Sequence, residues 1–231
     1  MKRYKHIFFD LDQTLWDFDR CSAETLRELF YNYKLENDCN FSCDTLISKF
    51  HEVNNALWGK FSAGKITKQE LRDSRFKIVF NELKYLRADL IEVFAENYLL
   101  NCPKKGHLIS YAKEVLDYLS LKYELHIITN GFEEVQQQKM ASTGITKYFK
   151  EVITSESAGF RKPEKEIFHY ALKKVNCQSS NCLMIGDNLE ADILGASNSY
   201  IDTVYFNPKK VKYHLSVTHE IECLSELKRI L

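Results

Sequence analysis

The run Ile7-Phe8-Phe9 reads as a buried strand ending at Asp10, yet the next strand signal, "ELHIIT", begins only at residue 124. Residues 20–102 between them carry helical periodicity almost without strand signals. Leu26, Leu29, Phe30 and Tyr33 follow i, i+3, i+4, i+7 spacing, as do Phe76, Val79, Phe80 and Leu83. Ser42 is placed to cap a helix bearing Leu46, Phe50, Val53 and Leu57, and Thr67 to Glu70 fits a capping box. Leu90, Val93, Phe94 and Tyr98 mark a further helix that Pro103 and Gly106 close.

After Gly106 the pattern alternates. Apolar runs at 124–129, 151–154, 182–186 and 202–206 are separated by helical stretches at 108–121, 133–142, 164–175 and 189–199, with a last helix near 222–230. Such alternation predicts an α/β fold with a parallel sheet covered on both faces. The isolated first strand is then explained by one Rossmann-like core, residues 1–15 and 106–231, interrupted by an all-helical insertion at 16–105.

Charge and cysteine usage narrow the function. Lys plus Arg and Asp plus Glu both total 32, so no net charge drives binding to a nucleic-acid polymer. The seven cysteines are scattered, with no CxxC pair and no zinc spacing, as expected for reduced thiols. No signal-peptide pattern opens the chain and no apolar stretch is long enough to span a bilayer, so a soluble cytoplasmic protein without a membrane partner is expected.

Ligands of open parallel sheets bind beyond the carboxyl ends of the strands. Beyond the first strand stand Asp10 and Asp12, beyond the second Thr129, Asn130 and Gly131, beyond the third Lys162, and beyond the fourth Asp187 with Asp192 a turn further on. Singly, each has a plain structural reading: a turn or cap for the aspartates and Asn-Gly, a solvated lysine for Lys162. Together they bring complementary charge to one rim, which suits phosphoryl transfer. Asp10 is placed as a nucleophile, Asp12 as acid and base, and Thr129, Lys162 and the backbone N–H groups that follow Thr129, from Asn130 on, as phosphate holders. Asp10 and Asp187 offer hard oxygen donors suited to Mg²⁺, and a cation would also relieve the repulsion between Asp10 and Asp12.

The motifs Asp10-Leu11-Asp12-Gln13-Thr14-Leu15, Thr129-Asn130-Gly131, Lys162-Pro163 and Gly186-Asp187-Asn188-Leu189-Glu190-Ala191-Asp192 resemble, in order and separation, those of the haloacid dehalogenase (HAD) superfamily of phosphohydrolases. The resemblance implies Mg²⁺ held by Asp10, the backbone carbonyl of Asp12, and Asp187, with Asp192 orienting a metal-bound water or Lys162. It also implies a small phosphomonoester substrate and a helical cap that closes over the site. The stretches "IFFDLDQTLWDFD", "IITNGFEEVQQQKM", "KPEKEIFHYAL" and "MIGDNLEADILGA" are similar to bacterial 5′-nucleotidases of this superfamily, which act on nucleoside monophosphates, pyrimidine ones prominently. "VNNALWGKFSAGKIT" in the insertion is similar too; its Trp58 could stack a base, the competing reading being a core tryptophan on an amphipathic helix. Asp17 and Asp19 are assigned to the passage into the insertion. The alternatives are a sugar phosphomutase or a phosphatase of another small metabolite, then a dehalogenase and a noncatalytic scaffold.

Overall fold

A computed structural model describes residues 4–231. The chain divides into two compact units, residues 1–18 with 106–231, and residues 19–105. The first unit thus keeps Trp16, Asp17 and Phe18, beyond the boundary of 15 expected from sequence.

The first unit is built on a six-stranded parallel sheet: β1 (His6–Phe9), β2 (Glu124–Thr129), β3 (Phe149–Thr154), β4 (Cys182–Gly186), β5 (Asp202–Phe206) and β6 (His219–Ile221). The spatial order is β3-β2-β1-β4-β5-β6. The order reverses between β1 and β4, the crevice where doubly wound sheets bind ligands. Ile7, Phe8 and Phe9 are fully buried, which is why this central strand is apolar without alternation. Phe8 packs with Ile128, Ile153, Phe168 and Met184 in one continuous core. Strand β6, "HEI", carries too little apolar signal to be read from sequence, and adds a parallel edge through Val204–Phe206.

The helices of the second unit are α1 (Phe18–Asn32), whose first residue belongs to the other unit, α2 (Cys43–Ser62), α3 (Lys68–Glu82) and α4 (Ala88–Asn101). Ser42 caps α2 by accepting from Thr45 N–H at 3.1 Å, and Thr67 and Glu70 close the capping box of α3. Phe50, Phe76, Phe80, Phe94 and Tyr98 form the aromatic centre. Val93, assigned to the buried stripe of α4 from its spacing, is instead 43% exposed, because Ile91, Phe94 and Tyr98 supply the buried face.

The remaining helices of the first unit are α5 (Ala112–Leu119), α6 (Glu133–Thr143), α7 (Ser155–Ala158), α8 (Lys165–Lys174), α9 (Gly195–Ser197) and α10 (Leu227–Ile230). Helix α5 starts later than the expected 108, since Leu108 pairs with Trp16 in an antiparallel bridge. The expected helix at 189–199 is a π-helical turn, Leu189–Leu194, running into α9. Among the described residues no helix is long and apolar enough to cross a membrane.

Candidate active site

Asp10 extends the ladder of β1 by one bond, its N–H donating to Ile185 O at 2.9 Å, and then the chain turns. Leu15 and Trp16 both donate to Leu11 O, while Gln13 takes a left-handed conformation (φ 62°) and donates to Trp16 O. The two acids therefore do not share a strand face. Asp10 is buried and faces Lys162; Asp12 is partly exposed and faces α6.

Lys162 is buried, not solvated: its Nζ lies 2.6 Å from Asp10 Oδ1, 2.6 Å from Asp192 Oδ1 and 2.8 Å from Ile128 O. Three acceptors take the three protons an ammonium offers. Asn130 fixes the backbone beside it, its Nδ2 donating to Lys162 O and its Oδ1 accepting from Lys162 N–H, each at 2.8 Å. The Asn130 side chain is thus committed to joining two loops, leaving its backbone N–H for any anion. Pro163 stands just ahead of the residue that caps α8, Glu164.

Asp187 follows β4 and accepts from Thr14 Oγ1 at 3.0 Å. Asp192, on the π-helical turn, is buried, and its Oδ2 accepts from Asn188 N–H at 3.0 Å. The turn must pass this close because Gly186 lacks a side chain: a Cβ there would stand 2.2 Å from Asp192 Oδ2. Oxygens of Asp10, Asp187 and Asp192 lie within 4.8 Å of one another.

Three acids around one ammonium set the electrostatics. Burial raises the Asp10 carboxyl well above its ordinary value, opposed by Lys162 and reinforced by Asp192 and Asp187. Burial, then Asp192, pushes Asp187 up to about 7. Burial disfavours the Lys162 charge, but Asp10 and Asp192 more than offset it and hold the ammonium protonated. Hard oxygen donors with unbalanced negative charge fit a small divalent cation. Asp192 is committed to Lys162 and Asn188 N–H, so Asp10 and Asp187 are the side chains suited to face it.

Thr129, at the end of β2, accepts from Gly131 N–H at 3.0 Å and from Gln136 Nε2 at 2.7 Å. Gln136 and Lys139 on α6 reach Asp12, at 2.9 Å and 2.6 Å. Neither these two residues nor Thr14 stand out in the sequence; the one signal for Gln136 and Lys139 is their i, i+3 spacing on the helix that follows Thr129-Asn130-Gly131. Trp58 lies in the other unit, half-buried, with the Phe61 ring edge-on at 5.5 Å.

A parallel sheet that gathers four carboxylates and a buried lysine at its switch point defines a class of hydrolase. A sequence profile of haloacid dehalogenase-like hydrolases matches residues 4–199, and the chain belongs to that family. It is 35% identical to the HAD-hydrolase YfnB of Bacillus subtilis, over 100% of this chain and 97% of that protein. The crystal structure of YfnB bound to magnesium superposes with a TM-score of 0.88, at 32% identity and 99% coverage of both chains. The pyrimidine 5′-nucleotidase YjjG of Escherichia coli is 32% identical, over 99% of this chain and 98% of that protein. The pyrimidine 5′-nucleotidase PynA of Streptococcus pneumoniae is 31% identical, over 97% and 93%.

Proposed function

We propose that this hydrolase is a Mg²⁺-dependent phosphomonoesterase that cleaves nucleoside 5′-monophosphates through an aspartyl-phosphate on Asp10. The observation that carries the reading is the imbalance at the switch point, where Asp10, Asp187 and Asp192 surround the single ammonium of Lys162. Such a set receives a dication and a phosphoryl dianion, and the two relatives named as pyrimidine 5′-nucleotidases supply the substrate class.

An Asp10 carboxylate oxygen attacks phosphorus and the bond from phosphorus to the ester oxygen breaks, while Asp12, protonated at the start of the cycle, gives its proton to that oxygen, which departs as the alcohol. Asp12 then takes a proton from water as that water attacks the acyl-phosphate, which releases inorganic phosphate and restores Asp10. Lys162 has two protons fixed on Ile128 O and Asp192, and directs the third at Asp10, where the phosphoryl group joins the protein. The Thr129 hydroxyl and the Asn130 backbone N–H hold phosphate oxygens. Asp10, the Asp12 carbonyl and Asp187 would hold Mg²⁺, which supplies neutralisation of phosphate charge when bound. None of the seven cysteines is in a disulfide, which suits a cytoplasmic setting.

The test is phosphate release from a panel of nucleoside and sugar monophosphates with Mg²⁺. The expected result is the highest kcat/KM on nucleoside 5′-monophosphates, abolished in a folded Asp10→Asn variant. Turnover confined to sugar phosphates, or conversion that needs a bisphosphate activator without phosphate release, would overturn the nucleotidase reading.

A further inference from the structure

Helix α6 touches the site twice on one face, through Gln136 and Lys139 (i, i+3), both buried. Gln136 Nε2 has two protons, and the geometry uses both: one toward Asp12 Oδ2 at 2.9 Å and one toward Thr129 Oγ1 at 2.7 Å. Lys139 Nζ takes the other Asp12 oxygen at 2.6 Å while lying 4.5 Å from the centre of the Trp16 ring. Both carboxylate oxygens of Asp12 are thereby held from a single helical turn, and the side chain cannot rotate about its last bond without breaking one contact.

The amide orientation is fixed by the same contacts. Turning the Gln136 amide over would set Oε1 against the Asp12 carboxylate. Oε1 itself is buried with no partner, a cost tolerated because Nε2 faces two acceptors. Gly131 makes the approach possible, since a Cβ there would stand 2.2 Å from Gln136 Nε2. Thr129 Oγ1 already accepts from Gly131 N–H and Gln136, so its own proton is left to donate. One amide thus orients a hydroxyl donor and a proton-transfer group together.

We propose that Gln136 and Lys139 are positioning residues for Asp12, with Gln136 also setting the Thr129 hydroxyl, so that α6 aligns leaving-group protonation with phosphate binding. The inference rests on the role given to Asp12 above. Its signature is dependence on the leaving group. A nucleoside 5′-monophosphate departs as an alkoxide and needs a proton; p-nitrophenyl phosphate departs as a stable phenolate and does not. Because kcat/KM covers steps only through the first irreversible one, later use of Asp12 as a base drops out of the comparison.

Both substrates should be assayed with Mg²⁺ on the full chain and on Lys139→Met, Lys139→Arg and Gln136→Leu. For Lys139→Met, kcat/KM on the nucleotide should fall about 100-fold and on p-nitrophenyl phosphate less than about 10-fold, within the range general acid catalysis contributes. Gln136→Leu should lower both through Thr129, and the nucleotide at least about 10-fold further. Lys139→Arg, which keeps the charge, should restore most of the nucleotide rate. Equal losses on the two substrates, or none, would overturn the inference, and Lys139→Met carries the same comparison if Gln136→Leu does not fold. An unaltered chain that hydrolyses neither substrate instead overturns the phosphomonoesterase reading, and this inference with it.

Discussion

Replacing Lys162 with Met removes the one ammonium shared by Asp10 and Asp192, each held at 2.6 Å, and leaves the packing volume nearly unchanged. Breaking a buried ion pair from one side costs about 3–5 kcal/mol, because the partner stays buried and uncompensated. An uncompensated carboxylate escapes its charge by protonation, which at pH 7 costs about 4 kcal/mol for a group with an ordinary value near 3.9. That escape becomes easier in acid: at pH 5 the same step costs about 1.5 kcal/mol. The sign follows from linkage. The folded variant holds a raised carboxyl, so the cost is largest above the folded value and fades as pH falls toward the unfolded one. Urea denaturation of Lys162→Met, in EDTA to prevent a cation from replacing the ammonium, should therefore show a deficit of about 3–5 kcal/mol at pH 7. The deficit should shrink by about 2–3 kcal/mol at pH 5. Adding Asp192→Asn removes one of the two stranded acids and should return about half of the loss. A deficit under about 1 kcal/mol at pH 7, or one independent of pH, would refute the account of Lys162 as the charge on which both acids depend.

Two further perturbations probe the same framework. His126 is buried beside His6 (Nε2 to Nδ1, 3.1 Å), and burial pushes it down to about 4. Its contribution is complete above its unfolded value near 6.5 and is lost as pH falls toward 4, by up to roughly 3 kcal/mol; His126→Phe should flatten that slope in denaturation curves, and an unchanged slope would count against it. Gly186→Ala would place a Cβ 2.2 Å from Asp192 Oδ2 and 2.6 Å from its Cβ, so the π-helical turn must move and take Lys162 with it. Phosphate release should fall at least about 10-fold with a stability loss of about 1–3 kcal/mol, whereas wild-type activity and stability would show that the turn yields freely.

The legible parts of this chain are those where one physical demand acts alone. Ile7, Phe8 and Phe9 are apolar because both faces of β1 are covered, and Ser42 and Thr67 satisfy helix ends with their own oxygens. The illegible parts answer to two demands at once. Strand β6 is too short and polar to carry an apolar signal, and Val93 follows helical spacing yet faces out because Ile91 takes the buried stripe. The π-helical turn at Leu189–Leu194 is hidden because its sequence suits an ordinary helix, and only the approach of Asp192 to Gly186 shows what the wider turn accommodates. Gln136 and Lys139 stayed hidden for a related reason: polar residues on a helix read as solvated until the strand end beneath them is known to carry an acid.

The repulsion between Asp10 and Asp12 likewise resolves through three-dimensional placement. The left-handed turn at Gln13 sends the two carboxylates to different cations, Asp12 to Lys139 and Asp10 to Lys162. The pair at Asp12 is balanced, one acid against one ammonium, whereas the set at Asp10 is not, since Asp192 and Asp187 draw on the same charge. The proposed binding of a cation and a phosphoryl group places both at the unbalanced set. The mechanism proposed above accordingly gives proton transfer to Asp12, whose direction is fixed by Gln136 and Lys139 and whose neighbours are not all anions.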